Sequence, residues 1–462
     1  MHFEQFYLGC LAHASYLLIS DGEAVVVDPQ RDVDIYIDAA RKHGAVIRHV
    51  FETHLHADFV SGHHELALRT GAQIYIGPKN GASVAHVEVQ DGFELRVGAV
   101  RVKVLETPGH TAESICLLIT DEEKSPEPWA VLTGDTLFVG DVGRPDLPKA
   151  FKAEVLAGML FDSLHNKLLT LPDRVVVYPG HGAGSLCGRN LGTSRSSTIG
   201  TERLTNYALQ IKTRDEFIRQ LTTNLPPRPD YFPQDAQINR AGAPALRDLP
   251  PLLAVKPLEL KRILQEGGAA IDVRSAEEFA AGHIPGSVNI PLSGQFASWA
   301  GTLIDLNSGP VLIGTQEQLS EARTRLARIG LDFERGYLEG GVAGWENAGL
   351  ELATLPQISA QDLSKRLDAG SLHVLDVRRE PEWKTAHVRI AMHHALDEFK
   401  SKMPELDHQE TVFVMCKSGY RSSIACSLLQ RAGFKNVINV IGGFDAWKNA
   451  GLAAVAEEPV LA

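Results

Sequence analysis

The chain is poor in the features that would place it in several large classes. It has five cysteines in 462 residues, odd in number and scattered at Cys10, Cys116, Cys187, Cys416 and Cys426. That usage excludes a disulfide framework and fits thiols in a reducing, cytoplasmic setting. No run of about 18 apolar residues is present, so no membrane span is expected. The start, Met1-His2-Phe3-Glu4, lacks the basic patch and apolar block of a secretory signal. Positive charge is also in deficit: a net charge of −12 argues against nucleic acid and anionic membranes as partners. What is present, 44% hydrophobic and 22% charged residues, describes an ordinary globular protein too long for one core.

Up to about residue 185, short strand-like runs alternate with a few helical stretches. The runs are Phe3-Leu8, Ser15-Ile19, Ala24-Asp28, Ile47-Phe51, Gln73-Ile76, Phe93-Val104, Ser114-Ile119, Trp129-Thr133 and Arg174-Tyr178. That mixture predicts two sheets face to face with helices outside. Glu202-Leu221 reads as one helix, and the prolines from Pro226 to Pro251 read as a linker. Beyond residue 250 the chain repeats itself about 100 residues later. Asp272-Val273-Arg274 recurs as Asp376-Val377-Arg378, His283 as His387, and Gly340-Gly341 with Trp345 as Gly442-Gly443 with Trp447. Strand-helix alternation in each copy predicts a parallel sheet covered on both faces. The expected domains are 1–250 (182–250 being an extension and linker), 251–352 and 353–462.

Four motifs in the first domain place ligating side chains at strand ends: His54-Leu55-His56-Ala57-Asp58, Gly109-His110, Gly134-Asp135 and Gly180-His181. Imidazole and carboxylate together suit zinc or ferrous iron. In this order the motifs resemble the metallo-β-lactamase superfamily, which implies a four-layer αββα sandwich over roughly residues 1 to 245. The run Gly140-Asp141-Val142-Gly143-Arg144-Pro145-Asp146 resembles its persulfide dioxygenase branch. Dinuclear hydrolases of that superfamily carry His-x-His-x-Asp-His; Phe59 stands where the last His would serve a second metal. The resemblance therefore implies one Fe(II) per domain on His54, His110 and Asp135, with zinc as the alternative. His56, Asp58 and His181 would orient ligands or protons. Arg144, Arg189 and Arg195 could rim the entrance for an anionic thiol carrier. His63 and His64 read as surface or packing residues.

The strand-like run Val412-Met415 feeds Cys416-Lys417-Ser418-Gly419-Tyr420-Arg421, and a helical stretch follows. A cysteine at such a turn meets converging backbone N–H groups and a helix N-terminus, both of which favour a thiolate or persulfide. Lys417 and Arg421 add positive charge, and Gly419 permits the turn. The copy resembles a rhodanese domain, and its loop has four residues between Cys and Arg where phosphatase loops have five. Aligned on Arg328-Ile329-Gly330 and Arg431-Ala432-Gly433, the first copy puts Ile313 opposite Cys416 and Gln318 opposite Arg421, so it should carry no sulfur and serve as scaffold or docking domain.

Together the resemblances imply a bifunctional enzyme. It would oxidise a low-molecular-weight thiol persulfide with O2 to sulfite and thiol, and move sulfane sulfur through Cys416 to form or use thiosulfate. Relatives of the metal domain associate, so a dimer or tetramer is expected. Two other readings stand beside it: a zinc thioester hydrolase of the glyoxalase II type with rhodanese domains, and a non-catalytic persulfide sensor.

Overall fold

The structure is a computed structural model that describes residues 1–457 apart from 149, 190, 224, 226, 227, 306, 307, 333, 370 and 371. It divides into two compact units, Met1–Leu249 with Ala327–Gly330, and Pro250–Leu326 with Leu331–Ala462. No helix among the described residues is long and apolar enough to cross a membrane.

The first unit holds two six-stranded sheets. One runs in chain order from His2–Leu8 through His13–Ser20, Glu23–Val27, Val46–Glu52 and Gln73–Ile76 to Val87–Glu88. The other is ordered Ser197–Thr198, Val176–Pro179, Ala130–Gly134, Ile115–Asp121, Val100–Glu106, Glu94–Val97. Strand side chains alternate between faces, so each sheet feeds two cores. Leu18, Phe51, Val102, Leu117 and Leu132 meet between the sheets. Their neighbours Leu17 and Val50 turn outward onto Tyr36 and Leu66 of the helices Asp34–Lys42 and His63–Thr70. On the other side Val131 and Val177 pack against Leu160 and Leu164 of Ala153–Asn166. The result is the expected αββα sandwich.

Two stretches depart from the sequence expectation. The single helix expected over Glu202-Leu221 is three: Ile199–Thr205, Tyr207–Gln210 and Arg214–Thr222. Asn206 breaks it, because its side chain accepts from the Ala208 amide and starts a new helix there. The proline-rich stretch expected to be a linker contains the helix Phe232–Ala241, with Pro233 in its first turn, where a missing N–H costs nothing.

The second unit contains two five-stranded sheets of the same order, with every strand pair parallel. They are Ala254–Val255, Gly336–Leu338, Val311–Ile313, Ala270–Asp272, Val288–Asn289, and Gln357–Ile358, Asn436–Val440, Thr411–Met415, His373–Asp376, Ala391–His393. The repeated residues do the same work in both. Asp272 accepts from the Arg274 guanidinium and Asp376 from that of Arg378, each down to 2.6 Å. His283 stacks on Phe279 and His387 on Trp383, at 3.7 and 3.8 Å between ring centroids. The indoles of Trp345 and Trp447 each donate to the carbonyl six residues on, at 3.0 Å. The sequence repeat is thus a packing repeat, and it says nothing about chemistry by itself.

Candidate metal centre and sulfur loop

Asp28, at the end of Glu23–Val27, starts a chain of hydrogen bonds that sets the first ligand. Its carboxylate accepts from the Thr53 amide (2.7 Å) and the Thr53 hydroxyl (2.8 Å). Having given its proton to Asp28, that hydroxyl can accept from Nδ1 of His54, 3.1 Å away. Nε2 of His54 then keeps its lone pair. His110 is arranged likewise: Nδ1 lies 2.8 Å from the Arg144 carbonyl, which only accepts, so Nε2 carries no proton. Both free nitrogens face Oδ2 of Asp135, at 3.9 and 3.5 Å. The turn that presents Asp135 needs glycine, because Gly134 has φ +48° and a Cβ there would collide with the Thr53 side chain.

His54, His110 and Asp135 are all buried, and their donor atoms lie within 4.8 Å of one another. Nε2 of His54 and Oδ2 of Asp135 have no hydrogen-bond partner among the described residues. Leaving such atoms buried and unpaired is costly unless a cation occupies the space between them. Burial, with the neighbouring imidazoles of His56 and His110, lowers His54 well below its ordinary range, and burial also lowers His110. Burial would raise Asp135, but His181 outweighs it and the carboxyl sits low. Two neutral imidazoles and one carboxylate fit a single divalent ion.

The other candidate ligands sit around this trio. His181 is clamped between two carboxylates, Nδ1 to Asp135 Oδ1 and Nε2 to Asp58 Oδ2, both at 2.8 Å. Burial opposes its protonation, yet the two carboxylates raise it well above the ordinary value. It therefore aims Asp135 and has no lone pair to offer. His56 faces away, with Nε2 3.2 Å from Asp28 and 3.4 Å from Glu52. Burial pushes Glu52 up to about 8. Phe59 is fully buried, its ring centroid 4.0 Å from that of His13 and 4.3 Å from that of His56. His63 is buried and His64 half-buried, so both pack. Of the rim arginines, Arg144 pairs with Asp146 at 2.7 Å, and Arg189 donates to the carbonyls of Gln220, Leu221 and Thr223. Arg195 lies over the Tyr7 ring, 4.3 Å from its centroid.

Sequence reasoning missed five residues here. His13 is buried against Phe59 with neither ring nitrogen hydrogen-bonded among the described residues. Cys187 forms a second buried trio with Asp58 and His181, and Asp28 with Glu52 and His56 a third. Asn239, on Phe232–Ala241, donates to the carbonyls of His56 and Phe59 and accepts from the Ser61 amide, all at 2.8 Å. No short-range spacing marks any of the five; only Asp28 fell in a strand-like run, Ala24-Asp28.

Cys416 stands where Thr411–Met415 ends, 1% exposed. Gly419, at φ +102°, opens the helix Tyr420–Arg431 and donates its amide to the Cys416 sulfur at 3.1 Å. The Gly-Gly motif is explained by the same loop. The Phe444 amide donates to the Cys416 carbonyl at 2.7 Å, and Gly443 (φ +55°) lies so close to that carbonyl that a Cβ would collide. Arg421 makes a fork with Glu382 at 2.6 and 2.7 Å, while Lys417 is exposed. The cationic charge expected from Arg421 is thus largely neutralised by Glu382.

The first copy corrects the sequence alignment. Asp272 pairs with Ile313 and Asp376 with Met415, so Ile313 occupies the position of Met415, one residue before the cysteine. The following helices start at Gln316 and Tyr420, which leaves a loop two residues shorter in the first copy. That loop caps itself: the Thr315 amide donates to Gln318 Oε1 (2.9 Å) and the Gln318 amide to Thr315 Oγ1 (3.3 Å). A cavity of about 380 Å³ beside it is lined by Arg274, Thr315 and Tyr337.

A four-layer sandwich carrying ligating side chains at its strand ends, followed by paired parallel-sheet copies, defines a compound α/β protein with a candidate metal centre and a cysteine loop. Residues 8–181 match the metallo-beta-lactamase superfamily, and residues 256–348 and 359–450 each match the rhodanese-like domain. A solved structure described as a metallo-beta-lactamase from Staphylococcus aureus subsp. aureus COL is 36% identical, covering 73% of this chain and 98% of that one with a TM-score of 0.66. The chain belongs to the metallo-beta-lactamase superfamily and carries two rhodanese-like domains. Hydroxyacylglutathione hydrolase of Brucella anthropi is 35% identical over 36% of this chain and 63% of its own length. The mitochondrial persulfide dioxygenase ETHE1 of Bos taurus is 28% identical over 46% of this chain and 75% of its own. The chain spans 57% and 63% of the length of the first two curated relatives it matches.

Proposed function

We propose that this chain oxidises a low-molecular-weight thiol persulfide with O2 and transfers sulfane sulfur through Cys416. The observation that carries the first half is the buried set of two unprotonated imidazole nitrogens and one carboxylate oxygen, with Phe59 in place of a further imidazole. Similarity to persulfide dioxygenase supports it. Fe(II) held by His54, His110 and Asp135 would supply neighbouring open positions for the persulfide and O2. The balance is RSSH + O2 + H2O giving RSH and sulfurous acid; the outer sulfur is oxidised by four electrons and O2 is reduced. Asp28 through Thr53, the Arg144 carbonyl and His181 keep the three ligands aimed. The protonated His181, in contact with Asp135, would hold a proton beside the reaction.

For the second half, the Cys416 thiolate attacks the outer sulfur of a donor persulfide; the donor S–S bond breaks, the donor thiolate leaves, and Cys416 becomes a persulfide. Sulfite attacks that sulfur, leaving thiosulfate and the regenerated thiolate. The Gly419 amide and the start of Tyr420–Arg431 hold the negative charge. The domains doing this are 1–250, 251–352 (without a cysteine) and 353–462. The few scattered cysteines support a cytoplasmic setting.

A second reading has its own observations: the Asp58, His181, Cys187 trio beside the first, and the identity to a hydroxyacylglutathione hydrolase. It makes the centre a two-zinc thioester hydrolase. Anaerobic purification with metal analysis separates the two, read beside oxygen uptake with glutathione persulfide and hydrolysis of lactoylglutathione. One iron per chain with oxygen uptake is expected; two zinc ions with hydrolysis would overturn the proposal.

A further inference from the structure

The helix Tyr420–Arg431, whose first turn faces Cys416, is gripped along its length by the copy that has no cysteine. At its start the Tyr420 hydroxyl donates to the Pro291 carbonyl at 3.0 Å. The Tyr420 ring lies flush on Gly294: a Cβ there would fall 2.5 to 2.9 Å from the ring atoms Cζ, Cε2 and Cε1. In the next two turns, Ser423 donates to Oδ1 of Asn289 at 2.7 Å, and the Asn289 amide donates to the Ser427 hydroxyl at 3.0 Å. At the far end Arg431 donates to the carbonyls of Gly267, Gly268 and Gly286, at 3.1, 2.9 and 3.3 Å. Asn289 is itself fixed within the first copy, its Nδ2 donating to the carbonyls of Asp272 and Arg274 at 3.1 Å each. Asn289, Ser423 and Ser427 are all buried, so these bonds do not compete with water.

We infer that the cysteine-less copy is a working part of the sulfur site: Asn289, Pro291 and Gly294 position the Cys416 loop. The inference rests on the reading of Cys416 as sulfur carrier. The Cys416 sulfur takes its hydrogen bond from the Gly419 amide, one residue before Tyr420. Any displacement of Tyr420 moves that amide and the helix start, the groups that stabilise the thiolate. Residues acting through Tyr420 and the helix it opens are positioning residues, and they explain why a copy with a self-capped, shortened loop stays joined to one that carries sulfur.

Gly294→Val tests this in the full chain, because its side chain must push the Tyr420 ring aside. The thiosulfate:cyanide kcat is expected to fall by roughly ten- to a hundredfold, as for a displacement of about 1 Å. KM for thiosulfate should change little. The pH midpoint for alkylation of Cys416 by iodoacetamide, read by peptide mass spectrometry, should rise. Adding Tyr420→Ala to Gly294→Val removes the collision, and the double variant should match Tyr420→Ala alone. Tyr420→Phe, which loses only the bond to Pro291, should shift the same midpoint by less, and it decides the matter if Gly294→Val does not fold. A Gly294→Val or Tyr420→Phe chain that keeps kcat and the alkylation profile, whatever its melting temperature, overturns the inference. Failure of the underlying reading shows separately, as full sulfurtransferase activity in Cys416→Ser.

Discussion

Asn239 ties a helix in the proline-rich stretch to the loop that carries three of the ligating candidates, and its replacement makes a sharp test of that tie. The side chain is fully buried and makes three hydrogen bonds to main-chain groups of His56, Phe59 and Ser61. At a net value of about 1 kcal/mol each, Asn239→Ala should cost about 3 kcal/mol. For a unit of this size that is a fall of about 6 to 12 °C in melting temperature. Calorimetry on the full chain is the assay, with hydrogen exchange at the Ser61 amide as the local readout. Exchange there should quicken by roughly a hundredfold, since about 1.4 kcal/mol is a factor of ten. Asn239→Asp sharpens the reasoning. It conserves volume, so loss of packing alone predicts little effect. It also sets a carboxylate against two carbonyl oxygens, so it should cost at least as much as alanine. An Asn239→Asp chain melting within about 2 °C of the parent, less than about 1 kcal/mol, would refute the argument.

Three further outcomes are expected. Cys416→Ser should shift the product from thiosulfate to sulfite while oxygen uptake persists; an unchanged product ratio would mean the two sites are not coupled. Phe59→His puts an imidazole where the Phe59 ring lies, 6.5 Å between centroids from His181, and metal analysis of zinc-loaded chain should rise from one toward two ions; a stoichiometry fixed at one would show that more than this residue bars the second ion. Half-burial would raise Glu382, but the Arg421 fork outweighs it and holds the carboxyl below its ordinary value near 4.5. A depressed folded value means the pair stabilises fully above about pH 4.5 and loses its effect as pH falls through the lower value. Urea titrations should therefore show Glu382→Gln destabilised at pH 7, with the gap to the parent narrowing as pH falls below about 4.5; a gap that stays constant through that fall would refute the pairing.

Much of this could be read from residues close together in the chain. Alternating apolar positions such as Leu17 and Leu18, or Val131 and Leu132, fall in different cores because strand geometry has a period of two. His110, Asp135 and His181 announced themselves as polar residues set beside glycine at strand ends, and His54 and His56 as two histidines one residue apart after a strand. Helix breaks and loop lengths were harder. Asn206 looked like any polar helix residue until its side chain was seen to cap the next turn, and a two-residue deletion before Gln316 is invisible when copies are aligned from one end only.

The sequence by itself determined the layer order, the tandem copies and the residue types able to hold a metal or a sulfur, because these follow from local periodicity and repeated spacing. Only the tertiary structure decided which nitrogen of His54 and His110 is free, that His181 is clamped by two carboxylates, that Asn239 holds the ligand loop, and that the cysteine-less copy grips the helix behind Cys416. Each of these is a hydrogen bond or ring contact between residues far apart in the chain. Such contacts depend on where side chains point after the sheets and helices have packed, and no short-range pattern encodes that.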